Sequence, residues 1–329
     1  MLVDLSSYNI TVIIPAYGVE RELSAVLESI PEYVRHIVVV NDASPDGTGN
    51  LITVACLRDK RIIPVTHAKN QGVGGAMISG YKKALELQTQ IVVKLDGDGQ
   101  MSARDIPALI MPLITGQADF TKGNRFRDFP ALSRMPVIRR IGNLALSFLS
   151  KSATGYWNCF DPTNGFLALR GEVLAQMPFE NIHKSYFFEI SQLSQLYLIG
   201  ACLRDVPMPA RYADETSNLS IMKVLFEFPP ALLRVFLRRI LLHYFLYDFS
   251  IGSVYMLAGL PLFLFGLIFG GLEWFHYASR GIPAPTGTVM LATLTVILGF
   301  QFLLSAVSID LQSVPREPLS RPLDVPPAA

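Results

Sequence analysis

Two stretches of 24 residues, 249–272 (FSIGSVYMLAGLPLFLFGLIFGGL) and 286–309 (TGTVMLATLTVILGFQFLLSAVSI), contain no charged side chain. About 20 helical residues cross the hydrocarbon core of a bilayer, whereas a soluble helix of that length needs a polar face. Both stretches therefore read as transmembrane helices. Only 13 residues, 273–285, join them, so they form a hairpin whose outer ends lie on one side. Arg234, Arg238 and Arg239 precede the first span and Arg316 and Arg321 follow the second, against one Arg in the loop. The positive-inside asymmetry then puts the large N-terminal part and the tail in the cytoplasm, at the inner (plasma) membrane. A buried hairpin in a soluble protein is the competing reading, and two uncharged spans of this length fit it poorly.

The rest of the chain is a different material. Only seven of the whole chain's 55 charges lie in residues 249–329, and the sum of 28 Lys and Arg against 27 Asp and Glu is +1. That balance excludes a general nucleic-acid binder, whose footprint is strongly basic. Cys56, Cys159 and Cys202 are odd in number and widely spaced, as reduced thiols are. The first residues lack the basic and apolar regions of an export signal. We divide the chain into a folded domain at 1–218, an amphipathic juxtamembrane segment at 219–248, the hairpin at 249–310 and a Pro-rich tail at 311–329. In the juxtamembrane segment, Pro229-Pro230 are expected to break the helix, leaving a basic amphipathic helix from Ala231 whose arginines meet lipid headgroups. The last 15 residues hold five prolines and read as disordered.

Within 1–218, short β-rich runs at 11–15, 36–42, 61–67, 91–98 and 118–125 alternate with helical patterns at 20–30, 48–58, 75–87 and 103–115. Such alternation predicts a mostly parallel α/β sheet with ligands beyond the carboxyl ends of its strands. Each of those ends carries polar groups. Asp96-Gly97-Asp98-Gly99-Gln100 follows the fourth run, where carboxylates two apart project to one side and can hold a divalent cation. A calcium loop of the EF-hand type fails on the place of its Gly. Pro15-Ala16-Tyr17 offers an aromatic ring for stacking, and Asn41-Asp42 a carboxylate for a base N–H. The glycines of Lys69-Asn70-Gln71-Gly72-Val73-Gly74-Gly75 permit close approach of backbone N–H groups to a ligand. Converging from four strand ends, these features describe a pocket for a nucleotide diphosphate.

The motifs VIIPAYG, VVVNDASPDGT, KNQGVGGA, KLDGDGQ, KGNRF, DPTNGF and RYADETSNLS together resemble glycosyltransferase family two with the GT-A fold. The resemblance is narrowest to the polyprenyl-phosphate glycosyltransferases, bactoprenol glucosyltransferase and dolichyl-phosphate mannose synthase among them. It implies donor contacts from Pro15, Ala16, Tyr17, Asp42, Asp96, Gly97 and Asp98, with Glu20 standing in for the Asn-Glu usual after the Tyr. It implies Mg²⁺ or Mn²⁺ on Asp96, Asp98 and Gln100. Arg125, Arg139, Arg140, Arg211 and Ser217 would face the acceptor phosphate, with Asp161, Arg125 and Arg211 catalytic and Glu189 a further carboxylate near the acceptor. The implied reaction is inverting transfer of a hexose from a nucleotide sugar, UDP-glucose first and GDP-mannose as the alternative, to polyprenyl phosphate. A non-catalytic membrane subunit of a glycan pathway is the alternative from another class. Gly259, Gly266, Gly270 and Gly271 permit helix packing, from which a homo-oligomer is expected.

Overall fold

The structure is a computed structural model and describes residues 3–125, 137–209 and 221–323. Arg211, Ser217 and the side chain of Arg139 lie outside the described residues. The chain divides into two compact units, Met1–Phe236 with Pro315–Ala329, and Leu237–Val314.

The first unit is built on a seven-stranded sheet. Its strands are β1 (Ile10–Ala16), β2 (His36–Asn41), β3 (Ile62–Thr66), β4 (Ile91–Lys94), β5 (Phe120–Asn124), β6 (Leu167–Arg170) and β7 (Leu203–Pro207), in the order β3-β2-β1-β4-β6-β5-β7. Every pairing is parallel except those of β6, which runs antiparallel to β4 and β5. Strand alternation sorts the side chains. Ile10, Val12 and Ile14 join Ile37, Val39, Ile91 and Val93 in one core with α1 (Leu23–Ser29) and α4 (Ile106–Ile114). Between them Ile13 points the other way, against Gly80 of α3 (Gly72–Glu86), where an added Cβ would stand 2.4 Å from its methyl. The remaining helices of this unit are α2 (Thr48–Arg58), α5 (Val137–Thr154), α6 (Gly171–Leu174), α7 (Phe188–Leu198) and the first part of α8 (Ile221–Leu241).

Two expectations fail here. Pro229 and Pro230 lie inside α8, which does not break. Each proline removes a helix hydrogen bond and costs about 3 kcal/mol. The offsetting term is packing, because Phe228, Ala231 and Leu232 join Ala153, Phe187 and Ile190 in a small apolar cluster. The Pro-rich tail is likewise ordered through residue 323. The Asp119 carboxylate is fully buried and accepts the backbone N–H groups of Cys202 (2.7 Å), Leu319 (2.9 Å) and Ser320 (3.2 Å), and Leu323 N donates to the Ile114 carbonyl (3.1 Å). Composition hides this strap because prolines give up donors that an extended segment against a domain does not need.

The second unit holds α9 (Ile251–Ser279) and α10 (Thr286–Gln312), the two helices among the described residues that are long and apolar enough to cross a membrane. α9 runs through Glu273, seven residues past the uncharged stretch, so the connection shrinks to residues 280–285. Nothing from Glu273 to Ser279 is Gly or Pro, and a helix need not stop where charge begins. Added Cβ atoms at Gly259, Gly266 and Gly270 would meet α10, at 2.9 Å from Phe302, 2.6 Å from Thr295 and 3.2 Å from Ala292. These glycines are spent on packing within one chain, and of the four only Gly271 faces open space. Arg239 is fully buried and forks onto Asp310, at 2.6 Å and 3.1 Å, where Tyr244 also donates its hydroxyl (2.8 Å). Of the three arginines expected at headgroups, Arg234 and Arg238 are exposed and Arg239 is not.

Candidate active site

Since β1 to β4 are mutually parallel, the loops after Ala16, Asn41, Thr66 and Lys94 emerge along one edge of the sheet. β5 shares that direction, being antiparallel to the β6 that lies between it and β4. After β1, Pro15 and Ala16 are covered and the Tyr17 ring is 52% exposed. Gly18 turns the chain at φ +67° and donates to Ser44 Oγ (2.9 Å), and Glu20 accepts from Gly47 N (2.9 Å). Glu20 thus braces the β1 loop against the β2 loop.

Asp42 is buried and spends both oxygens. Oδ1 meets His67 Nδ1 (2.6 Å) and accepts from Gln71 N (2.8 Å), while Oδ2 accepts from Gly72 N (2.8 Å). The glycine-rich turn also differs from its expected role. Gly74 N and Gly75 N donate to the Lys184 carbonyl (2.8 and 3.2 Å), and a Cβ on Gly74 would stand 2.2 Å from the His183 carbonyl oxygen. The close approach that these glycines permit is that of the 183–184 backbone, which takes up their donors.

At the end of β4 lies a charge network that sequence reasoning missed. Lys94 is fully buried, 3.0 Å from Asp96 Oδ1 and 3.2 Å from Glu189 Oε1. Burial opposes its charge, but the two carboxylates outweigh burial and hold its pKa above the ordinary lysine value. Glu189 therefore pairs with Lys94, and through it with Asp96, a partnership the sequence expectation for Glu189 did not include. A Cβ on Gly165 of the DPTNGF motif would stand 2.4 Å from Lys94 Nζ and 2.7 Å from Asp96 Oδ2, so that motif reaches the acidic turn because it carries a glycine there. The visible signal was a lysine closing an otherwise apolar strand, Ile91-Val92-Val93-Lys94.

Gly97 is buried in the turn, and Gly99 closes it at φ +76°, with Gln100 N donating to Asp98 Oδ1 (3.0 Å) and the Gln100 side chain exposed. Among the described residues no cluster of three or more His, Cys, Asp or Glu could hold a metal. Asp96 directs one oxygen at Lys94, and Asp98 stands half-buried two residues on. That donor set does not fit an all-protein cage. It fits Mg²⁺ or Mn²⁺ held by one or two carboxylates and completed by phosphate oxygens and water.

Beyond β5, Arg125 forks onto Asp161, with Nε to Oδ2 at 2.8 Å and Nη2 to Oδ1 at 3.2 Å. Asp161 is fully buried and the guanidinium 38% exposed. The 161–165 loop is tied to β5, because Asn164 Nδ2 donates to the Gly123 carbonyl (2.7 Å) and the buried Lys122 donates to the Asn164 carbonyl, while its Gly165 end abuts Asp96. Burial pushes the Lys122 pKa down and pushes the Asp205 carboxyl, which accepts from Phe160 N (2.8 Å), up to about 6. Arg140 is exposed on α5.

Residues 11–177, just over half of the 329, match the model of glycosyl transferase family 2. A UDP-N-acetylglucosamine–dolichyl-phosphate N-acetylglucosaminyltransferase of Methanococcus voltae is 33% identical over 161 residues, 45% of this chain and 64% of that protein. This chain thus matches less than two thirds of that relative's length. An undecaprenyl-phosphate mannosyltransferase of Micrococcus luteus is 28% identical over 205 residues, 61% of this chain and 82% of that protein. Among solved structures, glucosyl-3-phosphoglycerate synthase of Mycobacterium tuberculosis, with Mn²⁺, UDP and glucosyl-3-phosphoglycerate, superposes with a TM-score of 0.50 at 20% identity. That superposition covers 71% of this chain and 79% of the other, and shows a shared GT-A fold. Sheet order, acidic turn and family match agree, and the chain belongs to glycosyl transferase family 2.

Proposed function

We propose that this enzyme transfers a hexose, with inversion, from a nucleotide sugar to a polyprenyl phosphate at a membrane surface. The observation that carries the reading is the half-exposed Arg125 guanidinium, locked by Asp161 on the same sheet edge as Asp96 and Asp98. An acceptor phosphate is already anionic, so it needs placement and charge screening more than deprotonation, and a planar fork suits phosphate oxygens. Asp161 then orients Arg125, and Arg139, Arg140, Arg211 and Ser217 are the further groups for that phosphate. On the donor side Tyr17 stacks on the base, Pro15, Ala16 and Gly97 line its path, and Asp42 and Glu20 hold the loops around it. Asp98, with Asp96 and Gln100, would hold a divalent cation, which when bound neutralises charge on the departing diphosphate.

The relatives' names support the acceptor class, since one acts on dolichyl phosphate and the other on undecaprenyl phosphate. UDP-glucose is our first donor, and GDP-mannose has equal support from the mannosyltransferase relative. The segments before and after the second unit both belong to the first, so a bilayer crossed by α9 and α10 is crossed twice. We place the sheet domain on the cytoplasmic face, from the arginines flanking the hairpin. Three of the four glycines that motivated a homo-oligomer are used inside the hairpin, so an assembly would need Gly271 or another surface.

The test is the purified full chain with Mg²⁺ or Mn²⁺, polyprenyl phosphate and a panel of radiolabelled UDP- and GDP-sugars. A lipid-linked sugar product that is lost in Asp98→Ala is expected. No product with any donor, or full activity in Asp98→Ala, overturns the reading.

A further inference from the structure

An outward-facing helix surface on a folded domain is ordinarily polar, and that of α5 is not. Leu144, Phe148 and Leu149 stand on its exposed side with Ala145, whereas Ser147, Ser150 and Ala153 face inward. Phe160, on the loop that Ser147 Oγ holds through the Phe160 carbonyl (2.9 Å), extends the patch, and the four large side chains are 49–60% exposed. Trp157 packs edge-on against Phe148, with ring centroids 5.8 Å apart. One edge of the patch is basic, with Arg140 exposed and Lys151 Nζ 4.2 Å above the Phe160 ring. Residues 137–154 include no Asp or Glu.

We propose that this face of α5, with Trp157 and Phe160, is a lipid-docking surface. Its apolar side chains seat at the boundary between headgroups and acyl chains, and Arg140 and Lys151 meet anionic headgroups. Three observations select lipid as the occupant. The charge on this surface is of one sign and complements an anionic leaflet. An aromatic pair beside a basic edge is the composition of an interfacial belt. Phe160 also directly precedes Asp161, so the patch is continuous with the Arg125–Asp161 pair, and docking would bring that pair to phosphate height. The last point rests on the proposed acceptor, whereas docking itself does not.

Trp157 and Trp274 are the only tryptophans, so a Trp274→Phe chain carries one reporter, next to Phe148. Reconstituted in vesicles containing anionic phosphatidylglycerol, it is expected to show about twofold quenching by lipids brominated near the headgroup end of the acyl chain, the depth of an interfacial helix. Adding Leu144→Glu and Phe148→Glu should abolish that quenching. Should those glutamates disturb the fold, a reporter at Leu149, with Trp157→Phe and Trp274→Phe, gives the same reading without new charge. Quenching by aqueous acrylamide but not by brominated lipid overturns the proposal. Shielding from both also overturns it, and would assign the patch to a protein partner or a second copy. Because the readout is fluorescence, it stands if no sugar is transferred to polyprenyl phosphate, and its failure leaves the transfer assay unaffected.

Discussion

A carboxylate that gives both oxygens to one guanidinium fixes the place and the plane of that group. Asp161 is in that state, so its expected role is to fix Arg125, and Arg125→Lys should lower kcat/KM. The loss of a two-point charged contact is worth about 1.5–3 kcal/mol, a factor of roughly 10–150, visible in steady-state assays against polyprenyl phosphate. Asp161→Asn should lower activity in the same assay, because one of the two oxygens that hold Arg125 becomes an NH₂ donor facing a guanidinium. Asp205 gives a pH signature. Its Oδ1 is buried without a hydrogen-bond partner among the described residues, and burial raises its pKa from 3.8 to about 6. The folded carboxyl therefore keeps its proton to higher pH than the unfolded one. Stability falls as pH rises through that interval, by about 3 kcal/mol, and is flat above it. Asp205→Asn should remove this fall and leave the chain at least as stable at neutral pH, as measured by urea unfolding across that range. Legibility at this scale divides by chemistry. The places of Tyr17, Asp42 and Asp98 just beyond their strands were legible because polar or aromatic residues closing an apolar run mark a strand end, whereas the His67 partner of Asp42 was not. Lys94 and Glu189 stayed hidden because they lie 95 residues apart in sequence, and no local pattern reports an ion pair of that range.

Elements were the most readable level where periodicity was strong. The five expected strands of the first half correspond to β1 to β5, since apolar runs closed by turn residues have few other places to go. Reading failed where tertiary packing overruled a local rule. α8 keeps its two prolines because Leu232 and Phe228 have a cluster to join, and the glycines in the first turn of α3 serve a neighbouring carbonyl. The hairpin allows a sharp test. A Cβ on Gly299 would stand 2.4 Å from the backbone nitrogen of Phe263, whereas one on Gly271 would meet nothing within 4 Å. Gly299→Leu should destabilise the purified protein by several kcal/mol, at or above the upper end of the 1–3 kcal/mol typical of overpacking. Gly271→Leu should leave thermal unfolding in detergent unchanged.

For the whole molecule, the informative residue is Asp119. Its buried carboxylate gathers one N–H from Cys202, just before β7, and two from the strap at Leu319 and Ser320. Asp119→Ala would strand three donors, each costing about 1–3 kcal/mol when buried unpaired. The expected outcome is a clear fall in melting temperature and rapid proteolysis within 315–323. The strap could not be read from composition because the acceptor that orders it stands 200 residues upstream of the donor at Leu319.

The strap also sets an order of events. Leu319 and Ser320 are synthesised after both apolar helices, so the first unit cannot close around Asp119 until the hairpin has left the ribosome. Until then the carboxylate at the edge of β5 is without two of its donors. Nascent chains arrested before residue 319 should show a protease-sensitive sheet domain that becomes resistant once the strap emerges. The domain would thus reach its finished form only after the apolar hairpin has been synthesised, which makes completion of the sheet domain one of the last events of folding rather than one of the first.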